Sequence, residues 1–237
     1  MARNLNITAW LLVGTMAIST VLNPQVTLAY TIEPGTNPTN VGIESLDAIT
    51  QYQQGLTAMS AGNLTEAMNN FSRSIQLDRT YFPAYIERGN IKDAFSDLPG
   101  AIADYTTAIA LNPQAAAAFY NRGTVLSRSG KHQAAIADYN KAIYINPEYA
   151  QAYMNLGNEL DDLGDVPGAL ASYNQAIRIK PDYALAYLNR GIMHGRAGSR
   201  ALAIADLDRA ARLFKAAGNL DRANRALKMV KDIQSEV

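Results

Sequence analysis

Read for its apolar and polar positions, the chain breaks into short amphipathic stretches. One of them, AFYNRGTVLSRSG (residues 118–130), sets two aromatics ahead of Gly123 and reads as a helix with one apolar face. Polar, turn-forming runs interrupt the pattern at AGN, RSGKH, DLGDV and RAGSR, and Pro113, Pro147 and Pro181 mark helix ends. The stretches recur with a fixed period. Gly55, Gly89, Gly123, Gly157 and Gly191 are each 34 residues apart. Twelve residues after each glycine stands an alanine: Ala67, Ala101, Ala135, Ala169 and Ala203. Four further on come Phe71, Tyr105, Tyr139, Tyr173 and Leu207. From the second copy onward, Tyr85, Phe119, Tyr153 and Tyr187 stand four residues before the glycine.

A unit of this kind is a helical hairpin. Glycine and alanine at fixed places let two helix backbones approach, and the aromatics fill the space beside them. Each hairpin carries an apolar face that it cannot bury alone, so the units must stack, and an all-α solenoid of antiparallel helix pairs follows.

These positions resemble the tetratricopeptide repeat family over residues 48–217. The resemblance implies a right-handed superhelix of five units, at 48–81, 82–115, 116–149, 150–183 and 184–217, closed by a capping helix over 218–237. The first unit departs from the pattern, with Gln51 for the leading aromatic and Arg79 for the proline, and Pro83 compensates by starting the next helix. The fifth has Leu207 and Lys215 where an aromatic and a proline belong, as suits the end of an array. In LDRANRALKMVKDIQ, Leu220, Leu227 and Val230 form one helical stripe with bases opposite, the pattern of a solvating cap.

Arginine recurs on a face expected to be buried. The residue before each glycine is Gln54, Arg88, Arg122, Leu156 and Arg190, and fifteen residues after the glycine come Asn70, Asp104, Asp138, Ser172 and Asp206. Every unit with the arginine has the aspartate, and the two units without one lack the other. Pairing across units would set Arg190 against Ser172, so the pattern predicts bridges within units: Arg88–Asp104, Arg122–Asp138 and Arg190–Asp206. The role expected of them is structural.

Asparagine recurs two residues before the glycine, at Asn121, Asn155 and Asn189, with Glu87 and Gln53 in the earlier units. In the family, first helices line the concave face, and asparagine here resembles a ladder that holds a peptide backbone. A carboxamide both donates and accepts, so it suits that role. The peptide-binding groove implied by the resemblance comprises Asn90, Tyr120, Asn121, Thr124, Met154, Asn155, Asn158, Leu188 and Asn189, with Asp93, Arg128, Asp161, Asp162 and Arg196 beside them. The family's basic clamp for a terminal carboxylate is missing, since its positions carry Ile86, Asn90, Asn121, Gln151 and Asn155.

Composition adds exclusions. Acidic and basic residues balance at 21 each, so no net field would hold nucleic acid. There is no cysteine, and the two histidines, His132 and His194, lie in different units with no carboxylate spaced as a partner in sequence. The acidic run ELDDLGD reads as a solvated helix end, and no cofactor, metal ion or small-molecule substrate is expected.

The first 29 residues have the three-part layout of an export signal: Arg3, an apolar run from Ala9 to Leu22, and small Thr27 and Ala29 before Tyr30. They read equally as a short N-terminal membrane anchor. No Lys or Arg follows Arg3 until Arg73, which predicts that the remainder is translocated. Residues 30–44, rich in Pro, Gly, Thr and Asn, read as a flexible linker. The whole is expected to be a non-catalytic protein-interaction scaffold binding one or more membrane-associated proteins, in the periplasm or at a thylakoid membrane of a bacterium. In style of sequence it loosely resembles the cyanobacterial tetratricopeptide assembly proteins, among them a protochlorophyllide-oxidoreductase-interacting member. The alternative is a structural scaffold of an envelope complex that acts through its convex face or its capping helix.

Overall fold

An aromatic ring seated on a glycine is the joint that each unit repeats. A Cβ added to Gly55, Gly89, Gly123 or Gly157 would lie 2.5, 2.7, 2.9 or 2.6 Å from a ring carbon of Phe71, Tyr105, Tyr139 or Tyr173 respectively. The ring therefore needs the bare backbone, and the aromatic fills the notch the glycine leaves as well as the space beside it. All four rings are at most 1% exposed, and the five repeat alanines are fully buried.

The computed structural model describes residues 38–235, with side chains from residue 46. The expected export signal or anchor over 1–29 and the first part of the linker lie outside the described residues. The described residues from 45 onward form one compact unit. Among the described residues there are eleven helices and no strand: α1 (Pro38–Ser60), α2 (Leu64–Leu77), α3 (Phe82–Ala94), α4 (Leu98–Leu111), α5 (Ala116–Arg128), α6 (His132–Ile145), α7 (Ala150–Asp162), α8 (Val166–Ile179), α9 (Ala184–Arg196), α10 (Arg200–Ala216) and α11 (Leu220–Ser235). The linker expected to reach residue 44 gives way to helix at Pro38. Proline is well suited to a first helical position, because its fixed φ matches the helix and its missing N–H would have no partner there.

Helix ends follow from local chemistry. Asn112, Asn146 and Lys180 each precede a proline, which disfavours helical backbone, and each is extended, with φ of −136°, −128° and −127°. The fifth unit has Lys215 in place of proline, and α10 runs to 17 residues where α8 has 14. Hairpin turns close on a left-handed residue: Gly62, Gly130, Gly164 and Gly198 have φ between 71° and 79°, and Ser96 holds the same place in the second unit at 63°. The Asp97 and Asp165 carboxylates cap their helices by accepting from the backbone N–H of Gly100 and Gly168.

Paired helices α3/α4, α5/α6, α7/α8 and α9/α10 pack along their lengths, and each second helix packs on the next unit's first. The first helices α3, α5, α7 and α9 also pack on one another in turn, whereas among the described residues no pair of second helices in neighbouring units does so to that extent. The first helices therefore line the inner side of the solenoid's curve. Helix α11 closes the array on α10. Its inward face is Ala223, Ala226 and Val230, while Leu220 and Leu227, expected on that face, are 57% and 43% exposed. Small alanines let α11 lie close to α10 and Phe214, and the leucines are turned to the rim.

Candidate interaction groove

Each arginine of the buried row meets the aspartate of its own unit through two parallel bonds. Arg88 reaches Asp104 at 2.8 and 2.7 Å, Arg122 reaches Asp138 at 2.7 and 2.8 Å, and Arg190 reaches Asp206 at 2.7 Å twice. The third guanidinium nitrogen crosses to the preceding unit, donating to Ser72, Thr106 and Asn174. Each arginine thus ties three helices, and its guanidinium lies over the ring of Tyr85, Phe119 or Tyr187. The aspartates are 4 to 7% exposed, each buried beneath the guanidinium that binds it.

On the inner face the asparagines form two linked sets. Asn90 Oδ1 accepts from Tyr105 Oη at 2.7 Å and from Asn121 Nδ2 at 2.8 Å. Two units later, Asn158 Oδ1 accepts from Tyr173 Oη at 2.9 Å and from Asn189 Nδ2 at 2.7 Å. Asn90 and Asn158 are therefore engaged within the chain and act as positioning residues. Asn121, Asn155 and Asn189 each use an amide N–H, Asn155 weakly to Tyr120 Oη at 3.4 Å, and among the described residues no group donates to their Oδ1 atoms. All three are partly exposed. Each presents a carbonyl oxygen, already oriented, on successive first helices.

Beside this row, Arg128 binds Asp93 and Arg196 binds Asp161, the latter at 2.6 and 2.9 Å, closing the edge between second and third units and again between fourth and fifth. Thr124 takes the place of Asn90 in the third unit, accepting from Tyr139 Oη at 3.4 Å. A cavity of about 130 Å³ opens among Asn90, Asp93, Tyr105, Tyr120, Asn121 and Thr124. The Tyr120 ring packs at 4.8 Å on Tyr149, and burial pushes the Tyr149 and Tyr183 phenols up to about 12. Two apolar residues expected in the groove are packed against neighbouring helices, although Met154 Sδ also meets the amide groups of Asn158 and Asn189 at 3.4 and 3.9 Å. Met154 is 9% exposed and packs with Ala176 and Ala186, because α9 covers it. Leu188 packs towards Phe214 and Ala210, in the seam with the cap.

Three polar residues acquire partners that sequence spacing did not suggest. Glu159, read as part of a solvated helix end, is 4% exposed between the third and fourth units. It accepts from Ser127 Oγ and lies 2.8 Å from His132 Nδ1. The carboxylate stands between the serine and the imidazole, so the histidine has no hydroxyl to activate and the trio is an interlocking contact. His194 Nε2 lies 3.9 Å from Asp206, already held by Arg190. Among the described residues no three His, Asp or Glu side chains gather as a metal site.

Comparison with known proteins agrees with the fold. The family described as TPR repeat matches residues 96–130 and 157–198, and that described as tetratricopeptide repeat matches residues 116–149. No curated protein matches the sequence. Among solved structures, the chain is similar to MamA, at 24% identity over 69% of this chain and 96% of that one, with a TM-score of 0.63. It is similar to YrrB, described as a TPR protein with an unusual peptide-binding site, at 22% identity over 81% and 97%, TM-score 0.61. It is also similar to PilW, a type IV pilus biogenesis factor, at 17% identity over 78% and 92%, TM-score 0.63. At such identities the likeness is one of fold. Residues 96–149 and 157–198 match tetratricopeptide repeats, and the chain has the helical solenoid fold of its structural neighbours.

Proposed function

We propose that the chain is a non-catalytic interaction module whose inner face holds an extended segment of a partner protein. The observation that carries this reading is the row Asn121, Asn155 and Asn189, each anchored by one N–H and each with an Oδ1 to which no described residue donates. An extended peptide offers backbone N–H groups in need of acceptors, and side chains fixed in advance lose little entropy on binding it. The peptide-binding site named for YrrB, a chain of the same fold, supports the reading. The setting proposed is a membrane, on whose translocated side the array works as an assembly or biogenesis factor. Support comes from the layout of residues 1–29 and the resemblance to cyanobacterial assembly proteins. The PilW description lends the biogenesis role further weight. Among the described residues no helix is long and apolar enough to cross a membrane.

The test is a cross-linked pull-down from native membranes, comparing the wild type with Asn121→Ala/Asn155→Ala/Asn189→Ala. The expected result is loss of one set of partners with an unchanged helical melt. Persistence of every partner transfers the role to the envelope-scaffold reading, in which α11 is the docking element. That reading has its own observation, since Leu220 and Leu227 stand exposed on a helix that also carries Arg222, Arg225, Lys228 and Lys231. Charge reversal at those four positions then removes the partners instead.

A further inference from the structure

The second unit breaks the asparagine row with an acid. Glu87 occupies the register of Asn121, Asn155 and Asn189, on the first helix of its unit and on the same inner face. It is partly buried, and Asn90 Nδ2 donates to its Oε2 at 2.9 Å. Among the described residues nothing donates to its Oε1. The cations nearby in sequence, Arg88 and Lys92, are paired with Asp104, and Arg128 of the next unit is paired with Asp93. Burial raises the carboxyl above its ordinary range, and the Asn90 bond only partly opposes this.

A carboxylate in this state is costly to its own chain, because desolvation is not relieved by an opposite charge. The stacking does not call for it. The neutral carboxamides at the same register make the contact to the preceding unit, as Asn155 does to Tyr120. Tyr52 stands in the register of Tyr120 one unit before Glu87, and the nearby carboxylate adds to burial in holding its phenol well above the usual range. The Tyr52 ring packs edge-on against Tyr81 at 5.3 Å, so an aromatic wall lies at this end of the groove. A carboxylate beside aromatic rings is a site for a cation, since both attract positive charge and a guanidinium or ammonium also supplies the donors Oε1 lacks.

We infer that Glu87 receives a lysine or arginine side chain of the segment held in the groove, and so fixes the position of that segment along the row. This rests on the groove reading above and adds to it the chemistry of the partner. Of the inner-edge acids, Asp93 and Asp161 are held by Arg128 and Arg196, and Asp162 stands exposed to water, whereas Glu87 is partly buried close to Tyr52.

The experiment pans random linear peptides displayed on phage against the full chain, its Glu87→Asn variant and its Asn155→Ala variant. Glu87→Asn supplies the residue that three other units already carry, and a helical melt confirms that it folds. Peptides selected by the wild type are expected to share a Lys or Arg at one fixed position. Replacing that residue with Gln is expected to weaken binding about tenfold to the wild type and less than about twofold to Glu87→Asn. Two results overturn the inference while the groove stands: Asn155-dependent peptides with no basic preference, or a preference that survives Glu87→Asn. If no selected peptide depends on Asn155, the groove reading fails and this inference fails with it.

Discussion

At the residue scale, the chain contains its own control for the buried arginine. The fourth unit replaces the pair with Leu156 and Ser172, which are 8% and 6% exposed, and still packs in register. Removing one partner strands a charge, whereas removing both need not destabilise. Arg122→Leu alone is therefore expected to lower stability by about 2–3 kcal/mol, and Arg122→Leu/Asp138→Ser to recover most of it. Urea denaturation of the four-member cycle measures the coupling, and additive losses would refute it. The tyrosines make a second prediction. A phenol ionises near 10.0 when unfolded, while burial holds Tyr149 and Tyr183 up to about 12 in the fold. Raised in the folded state, these groups contribute stability that is complete below pH 10 and is lost as pH rises through 12. Tyrosinate absorbance and helical circular dichroism should then change together in alkaline titration. Ionisation of these two phenols at pH 10 with the helices intact, read as the difference from Tyr149→Phe/Tyr183→Phe, would contradict the burial.

At the scale of elements, most of the architecture was legible because the repeat gives the same message several times. Glycine, alanine, aromatic and proline recur at set offsets, and each has one mechanical part to play. The glycine makes the notch, the alanine permits close approach, the ring fills the notch, and the proline stops the helix. What was not legible was most of the inward face of α11, where no second copy exists to compare and Leu220 and Leu227 outweigh two alanines in any reading of apolarity; only Val230 reads onto the right side. The turn of the second unit is the weak point of the series. Ser96 adopts φ of 63°, where the other turns place glycine. An L-residue there is strained by its Cβ, so Ser96→Gly is expected to stabilise by about 0.5–1 kcal/mol. Thermal unfolding measures it, and a lower melting temperature would mean that the serine contributes a contact outweighing the strain.

At the scale of the whole molecule, the sequence exposed a row of asparagines but not how they are bound. Asn121 and Asn189 each reach across to a partner 31 residues away in the chain, and Glu159 finds Ser127 and His132 from the neighbouring unit. Such contacts depend on the rotation between stacked hairpins, which no spacing within one hairpin encodes. The links also show a longer rhythm. Asn90, Asp93 and Asp97 recur as Asn158, Asp161 and Asp165, and Asn121 and Arg128 as Asn189 and Arg196, all 68 residues on. In these edge residues the second and fourth units are alike, as are the third and fifth. The array thus has a grammar for changing its length. Excising residues 116–183 would bring the second unit against the fifth, with Asn189 facing Asn90 and Arg196 facing Asp93, as native neighbours do. Excising only residues 116–149 would set Asp162 against Asp93, acid on acid, with no arginine to close the edge. The longer deletion is expected to melt as a cooperative helical array and the shorter one to lose cooperativity, as calorimetry would report. A lineage or a designer can therefore add or remove reach in steps of two hairpins, while a single hairpin is a frameshift in the language of surfaces.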